Sequence, residues 1–179
     1  MLQKILSCLA ILAISSALHA GEAAAEFMPI PGRIAKVAVG DWAEFKLGDA
    51  TFRHRAEKVE RGPEGAVVHF ITETLDASGK VVREEPASMS EAKELEISKR
   101  YMEAFDKRGA IGYSDSVLIA DKPVSAVIFI DGGTEFWFSD QIGVLNLIRF
   151  DPGDGDNSKR RYSVDFGSAA DAPPRAEKQ

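Results

Sequence analysis

TFRHRAEKVERGPEGAVVHFITETL, residues 51–75, decides the architecture. Two runs carrying Val, Thr, Ile and Phe, Thr51 to Arg61 and Ala66 to Leu75, flank Gly62-Pro63-Glu64-Gly65, a group of turn residues in which proline presets φ at the second position. The pair reads as an antiparallel hairpin. With the turn centred on Pro63-Glu64, paired positions sum to 127, which sets His69 opposite Lys58 and His54 opposite Glu73.

Downstream of the hairpin, Asp76-Ala77-Ser78-Gly79 turns the chain into a strand from Lys80 to Glu85, which Pro86 is expected to stop because it lacks an N–H. Ser88 and Glu91 then have the spacing of a capping box. Glu91 and Glu94 suit the positive end of a helix dipole, Lys107 and Arg108 the negative end, and Gly109 the left-handed residue that follows. A helix is predicted over Met89 to Arg108. Leu95, Ile97, Tyr101, Met102 and Phe105 supply its apolar stripe, with Ser98 and Lys99 interrupting it. Val124 to Ile130 is apolar on both faces, as expected of a central strand covered on one side by the helix. Asp131-Gly132-Gly133 turns it into Thr134 to Ser139, followed by Gly143 to Phe150, a turn-rich loop from Asp151 to Ser158, and a last strand from Lys159 to Phe166. Upstream, Trp42 to Leu47 reads as a strand and Arg33 to Val39 as a modest one, with Gly40-Asp41 as the break between them.

Hairpins of neighbouring strands around one helix define an α+β domain: a curved, half-barrel-like antiparallel sheet of about 8 strands with one main helix. One helix covers only part of such a sheet. Apolar surface left uncovered is the natural place for a ligand or a partner.

The chain begins with Lys4 and then fourteen uncharged, mostly apolar residues from Ile5 to Leu18, the layout of a secretory signal peptide. At 1.5 Å per residue that run makes about 21 Å of helix, short of a hydrocarbon core of about 30 Å, so no transmembrane anchor is expected. Ala20 is the favoured cleavage position, with Ala17 and Ala25 as alternatives. The resulting division is a signal peptide at 1–20, a linker at 21–32, a single α+β domain at 33–167 and a disordered tail at 168–179, where Pro173-Pro174 and the lack of large apolar side chains disfavour order. Ile5-Leu6-Ser7-Cys8 loosely resembles a lipidation motif, but Cys8 precedes most of the apolar run and leaves with the signal. Removing Lys4 from 22 basic residues leaves 21 against 28 acidic ones, a net charge of −7. A cysteine-free mature chain excludes disulfides, thiol catalysis and thiolate metal sites. Its acidity argues against nucleic acid as a partner. The expected location is the periplasm or the exterior of the cell.

No residue pattern reaches the specificity of a catalytic, metal or cofactor signature, and none of these is expected. His54 and His69, four residues apart on one face of the predicted hairpin, would stand about 13 Å from each other, too far to share a metal ion. No serine sits in a Gly-x-Ser-x-Gly elbow, and Glu84 and Glu85 point to opposite faces of their strand. Asp154, Asp156 and Ser158 alternate like calcium ligands, yet Lys159 stands where the loop needs glycine and Asp165 where it needs glutamate. The candidates for a ligand surface are Trp42 and Trp137. Each faces away from the ordinary apolar set of its strand, so they either line a concavity or pack under the helix.

The stretch Glu135-Phe-Trp-Phe-Ser-Asp-Gln-Ile-Gly-Val-Leu-Asn-Leu-Ile-Arg149, together with Gly40-Asp-Trp-Ala-Glu-Phe45, resembles recurring segments of uncharacterised exported envelope proteins of bacteria. More distantly, the layout is similar to half-barrel lipoprotein carriers, in which a curved sheet grips acyl chains against helices. The likeness spans about half of the domain and carries over no functional residue. It implies a non-enzymatic protein whose partner is a lipid or a lipidated protein. The competing expectation is an interaction or structural module that meets another envelope protein through an exposed sheet edge or loops.

Overall fold

The computed structural model describes residues 31–142 and 147–173. The expected signal peptide with Cys8, nearly all of the linker and the end of the tail lie outside those residues. Nine strands and one long helix follow in order: β1 (Trp42–Leu47), β2 (Ala50–Gly62), β3 (Gly65–Leu75), β4 (Val81–Ser90), α1 (Glu91–Arg108), β5 (Ile111–Ile119), β6 (Lys122–Asp131), β7 (Thr134–Phe138), β8 (Leu147–Asp151) and β9 (Arg161–Gly167). All nine strands belong to one antiparallel sheet in the order β4-β3-β2-β1-β9-β8-β7-β6-β5. The end strand β5 also lies against β9, four places along, so the sheet curls toward itself without closing.

The β2–β3 hairpin closes with Gly62 opposite Gly65, and Lys58 faces His69 as the sequence implies. Beyond Lys58 the register shifts at a bulge, with Glu57 as the extra residue, and His54 faces Thr72 instead of Glu73. Thr72 and His69 are three apart, so the two histidines are on opposite faces of the sheet. His54 is 1% exposed, whereas the His69 side chain is 43% exposed.

Three other elements differ from the sequence reading. Arg33 to Val39 is not a strand, because the Glu94 carboxylate of α1 accepts the N–H groups of Gly32, Arg33 and Ile34 at 3.0, 3.0 and 3.2 Å. A carboxylate placed there caps a helical turn, and Ile34–Lys36 is accordingly 3-10. β4 runs through Pro86 to Ser90, since an edge strand can leave the position of the missing N–H on its outer side. The helix therefore starts later, with Ser90 as its cap: the Ser90 hydroxyl accepts from the Lys93 N–H at 3.1 Å, and Glu91 reaches the Ala66 N–H at 2.7 Å. Its far end is as read, with Gly109 left-handed at φ 67°. Finally, Ile111–Ile119, which the sequence reading leaves unassigned, forms the outer strand β5. From Ser168 the chain continues over β1 and β2 as far as Pro173, through a short 3-10 turn at Ala169–Asp171. Arg55 donates to the Pro173 carbonyl at 3.0 Å.

The helix is anchored at two points on one sheet face. Ile97 packs with Val68, Phe70 and Met89 of β3 and β4 and with Ile34 and Val37. One helical stretch later, Phe105 stacks on Phe129 of β6 at 4.6 Å and meets the Phe136 ring of β7 edge-on at 5.2 Å. A separate cluster joins Val124, Ala126 and Ile128 of β6 to Ile119, Ile142, Ile148 and Ala43.

Glu94 is 1% exposed and ties the N-terminal turn to α1. Glu94→Ala should lower unfolding stability by about 3 kcal/mol, because each hydrogen bond to a buried charge contributes about 1.5–3 kcal/mol and the three freed N–H groups re-solvate in part. Urea denaturation measures this; a loss below about 1 kcal/mol would mean that Ile34 and Val37 hold the turn by packing alone.

Candidate functional site

Charge is buried on both faces of the sheet, in two different ways. On the face turned away from α1, Arg53 donates to Glu73 at 3.1 Å and to Glu44 at 2.9 Å, and Arg55 lies 3.8 Å from the other Glu73 oxygen. Two cations meet two carboxylates there. In such a set each charge has a counter-charge, so removing one partner is costly, although the Nε atoms of Arg53 and Arg55 have no hydrogen-bond partner.

The other face is arranged differently. Cross-strand partners share a face, and the register sets Phe45 opposite Phe52, Leu47 opposite Arg161, and Arg161 opposite Phe150. Phe150 packs on Phe136 at 5.2 Å, and Phe136 on Phe105 of the helix, so this is the helix face. The helix packs against β3, β4 and β6, and β1 and β9 run between those anchor points. There Arg161 is 7% exposed, with its guanidinium carbon 3.8 Å from the Phe45 ring centre. No carboxylate among the described residues pairs with it, and its buried Nε has no hydrogen-bond partner. Beside it, the His54 ring lies 4.6 Å from Phe45 and 5.5 Å from Phe70. His54 Nδ1 is 2.9 Å from the Thr72 hydroxyl, and its Nε2 is buried without a partner.

Burial, reinforced by the charge of Arg161, holds the His54 pKa well below its ordinary value, so the ring is neutral at pH 7. Burial alone draws Arg161 down to about 9, which leaves it charged there. An isolated buried ion costs several kcal/mol, and a hydrogen-bonded anion offsets that cost. The arrangement is therefore a cation, a neutral imidazole and aromatic walls on Phe45, Phe52 and Phe150. It suits an anionic head attached to an apolar body. The approach is short, since Leu47, on the same face and opposite Arg161, is 42% exposed.

Neither tryptophan lies on this face. Trp42 is 3% exposed, with Gly167 fitted against its indole, where a Cβ would stand 3.0 Å from Nε1. Trp137 flanks the cluster around Ile128, donates Nε1–H to Glu135 at 3.0 Å and lies 5.1 Å from the Arg149 guanidinium. Phe136 and Phe138 point the other way, toward Phe105, as alternation along β7 requires. In the Asp154–Lys159 loop, the Lys159 ammonium engages the Asp154 and Asp156 carboxylates at 3.0 and 3.2 Å. Among the described residues no group of three or more side chains could hold a metal ion, and no helix is long and apolar enough to cross a membrane. Clefts of about 150 and 300 Å³ lie beside the Glu57 bulge, and neither is lined by Arg161 or His54.

No protein-family model and no curated protein matches this sequence. Among solved structures it is similar to a "putative lipoprotein" from Parabacteroides distasonis, with 11% identity, a TM-score of 0.45, and coverage of 79% of this chain and 99% of that one.

The two buried charge sets predict opposite responses to the same chemical change. Arg53→Met strands Glu44, leaves Glu73 only the longer contact with Arg55 and should cost about 3 kcal/mol, whereas Arg161→Met removes an unpaired charge and should leave stability unchanged or raise it by about 1–3 kcal/mol. Chemical denaturation of both variants decides this. A large loss in Arg161→Met would show that the guanidinium has a structural partner.

Proposed function

We propose that this chain works outside the bacterial cytoplasm as a non-catalytic binding protein for an amphiphile with an anionic head, a fatty acid or the lipid portion of an envelope component. The observation that carries the reading is Arg161, buried on the helix face against aromatic rings and without a carboxylate partner among the described residues. Export rests on the signal-like first eighteen residues. Arg161 receives the head, His54 Nε2 adds a polar contact, and Phe45, Phe52 and Phe150 face the hydrocarbon. The ligand wall is thus formed by phenylalanines of the helix face, with Trp42 and Trp137 on the opposite sides of their strands.

Displacement of a fluorescent fatty acid from the purified chain tests the reading. Dodecanoate and dodecyl phosphate should bind, dodecanol at least tenfold more weakly, and Arg161→Met should erase the difference, tenfold corresponding to about 1.4 kcal/mol. Equal binding of acid and alcohol, or none of either, would refute the anionic-head reading.

A further inference from the structure

The two edges of the sheet are built differently. On β4 the outer edge carries Pro86, which has no N–H to offer, and the charges of Arg83, Glu84 and Glu85. Those are features that keep another strand from adding. β5 has none of them. It pairs with β6 without a register break from Ile111 opposite Ile130 to Ile119 opposite Lys122, contains no proline, and has Asp115 as its one charge. Ile111, Tyr113 and Leu118 are 68%, 45% and 71% exposed. Among the described residues no strand pairs with its outer side; β9 lies against β5, but Ile111 to Ser116 are exposed and only Ile119 is buried.

We propose that β5 is a dimer seam, pairing antiparallel with β5 of a second copy about a two-fold axis at Ser114. A two-fold axis normal to a continuous sheet keeps each face on its own side, so paired residues must share a face and the register must centre on a residue. Centring on Asp115 sets two carboxylates directly opposite each other, which is unfavourable. Centring on Ser116 sets Asp115 against the partner's Val117, and centring on Tyr113 sets Ile111 against the partner's Asp115. Centring on Ser114 avoids all three conflicts. Ile111 then faces the partner's Val117, Gly112 the partner's Ser116, and Tyr113 the partner's Asp115, whose carboxylate can accept from the phenol. Charge and apolar matching thus select one self-complementary register, and that selects a second copy over an unrelated strand. A seam one strand wide buries less than the roughly 1,200 Å² of a standard interface, so the dimer should dissociate on dilution in the micromolar range.

Sedimentation equilibrium of the full chain over a wide concentration range should show a monomer–dimer equilibrium. Ile111→Lys, at a position too exposed to affect folding, should weaken it at least tenfold while the circular dichroism spectrum stays unchanged. In a Cys8→Ser background, Ser114→Cys should form a disulfide-linked dimer under mild oxidation much faster than Ser116→Cys. A chain that stays monomeric at all concentrations overturns the proposal. So does a dimer that is indifferent to Ile111→Lys, or faster crosslinking at position 116 than at 114.

Discussion

The structure depends on how one helix is spread over a sheet too wide for it. Eighteen helical residues extend about 27 Å, whereas nine strands spaced about 4.8 Å apart place the outermost ones about 38 Å from each other before curling. α1 resolves the mismatch by gripping at two points, Ile97 over β3 and β4 and Phe105 over β6 and β7. Curling of the sheet brings these anchor points within reach of one rod. The central strands β1 and β9 therefore receive the least cover, and there the chain places Phe45 and the cation Arg161, with Phe52 of β2 beside them, whereas the side chains under both anchors are apolar.

The paired network on the opposite face gives this central site its meaning. On that face each buried cation has an anionic partner, Arg53 with Glu73 and Glu44, and Arg55 with Glu73 and the Pro173 carbonyl, although the Nε of both arginines is buried without a hydrogen-bond partner. Glu94 shows the same economy, its two oxygens satisfied by three backbone N–H groups. Against that practice, a guanidinium whose described contact is the face of Phe45 stands out. A cation over an aromatic ring gains about 2 kcal/mol when desolvated, less than the several kcal/mol that its burial costs. The deficit is what an anionic ligand would remove, and the neutral state of His54 next to it prevents a second buried charge from enlarging it.

Much of this was legible in the sequence where local chemistry decides. The Pro63-Glu64 turn, the strands on either side of it, the Gly132-Gly133 hairpin and the Gly109 stop follow from turn and cap residues whose preferences act within a few positions. What escaped was set from a distance. Arg33 to Val39 turns because Glu94, some sixty residues later, supplies the cap. Pro86 is tolerated because β4 is an edge, a property of topology and not of Pro86. β5 alternates Ile111, Tyr113, Val117 and Ile119 with Gly112, Ser114 and Ser116, but Asp115 interrupts the apolar parity, Leu118 the polar one, and most of the strand faces water. Arg161 stands beside Lys159 and Arg160 in the chain, and nothing local distinguishes the buried cation from its neighbours, which reach the acids of their own loop and of Asp151.

The bulge at Glu57 links the register to the chemistry. Without an extra residue, pairing would run as the sequence suggests, with His54 opposite Glu73, and partners share a face. His54 shares its face with Phe45 and Arg161, so Glu73 would then share a face with Arg161. The single inserted residue in β2 turns Arg53 and Arg55 to the face of Glu73 and sets His54 against the uncharged Thr72 on the other. One residue in β2 thereby does two things: it brings Arg53 and Arg55 to Glu73 on one face and keeps that carboxylate off the other. A strand that merely needed to pair would gain nothing from this irregularity. In regular pairing the one carboxylate of β3, Glu73, would share the face of Arg161, so the break in alternation is what separates the two.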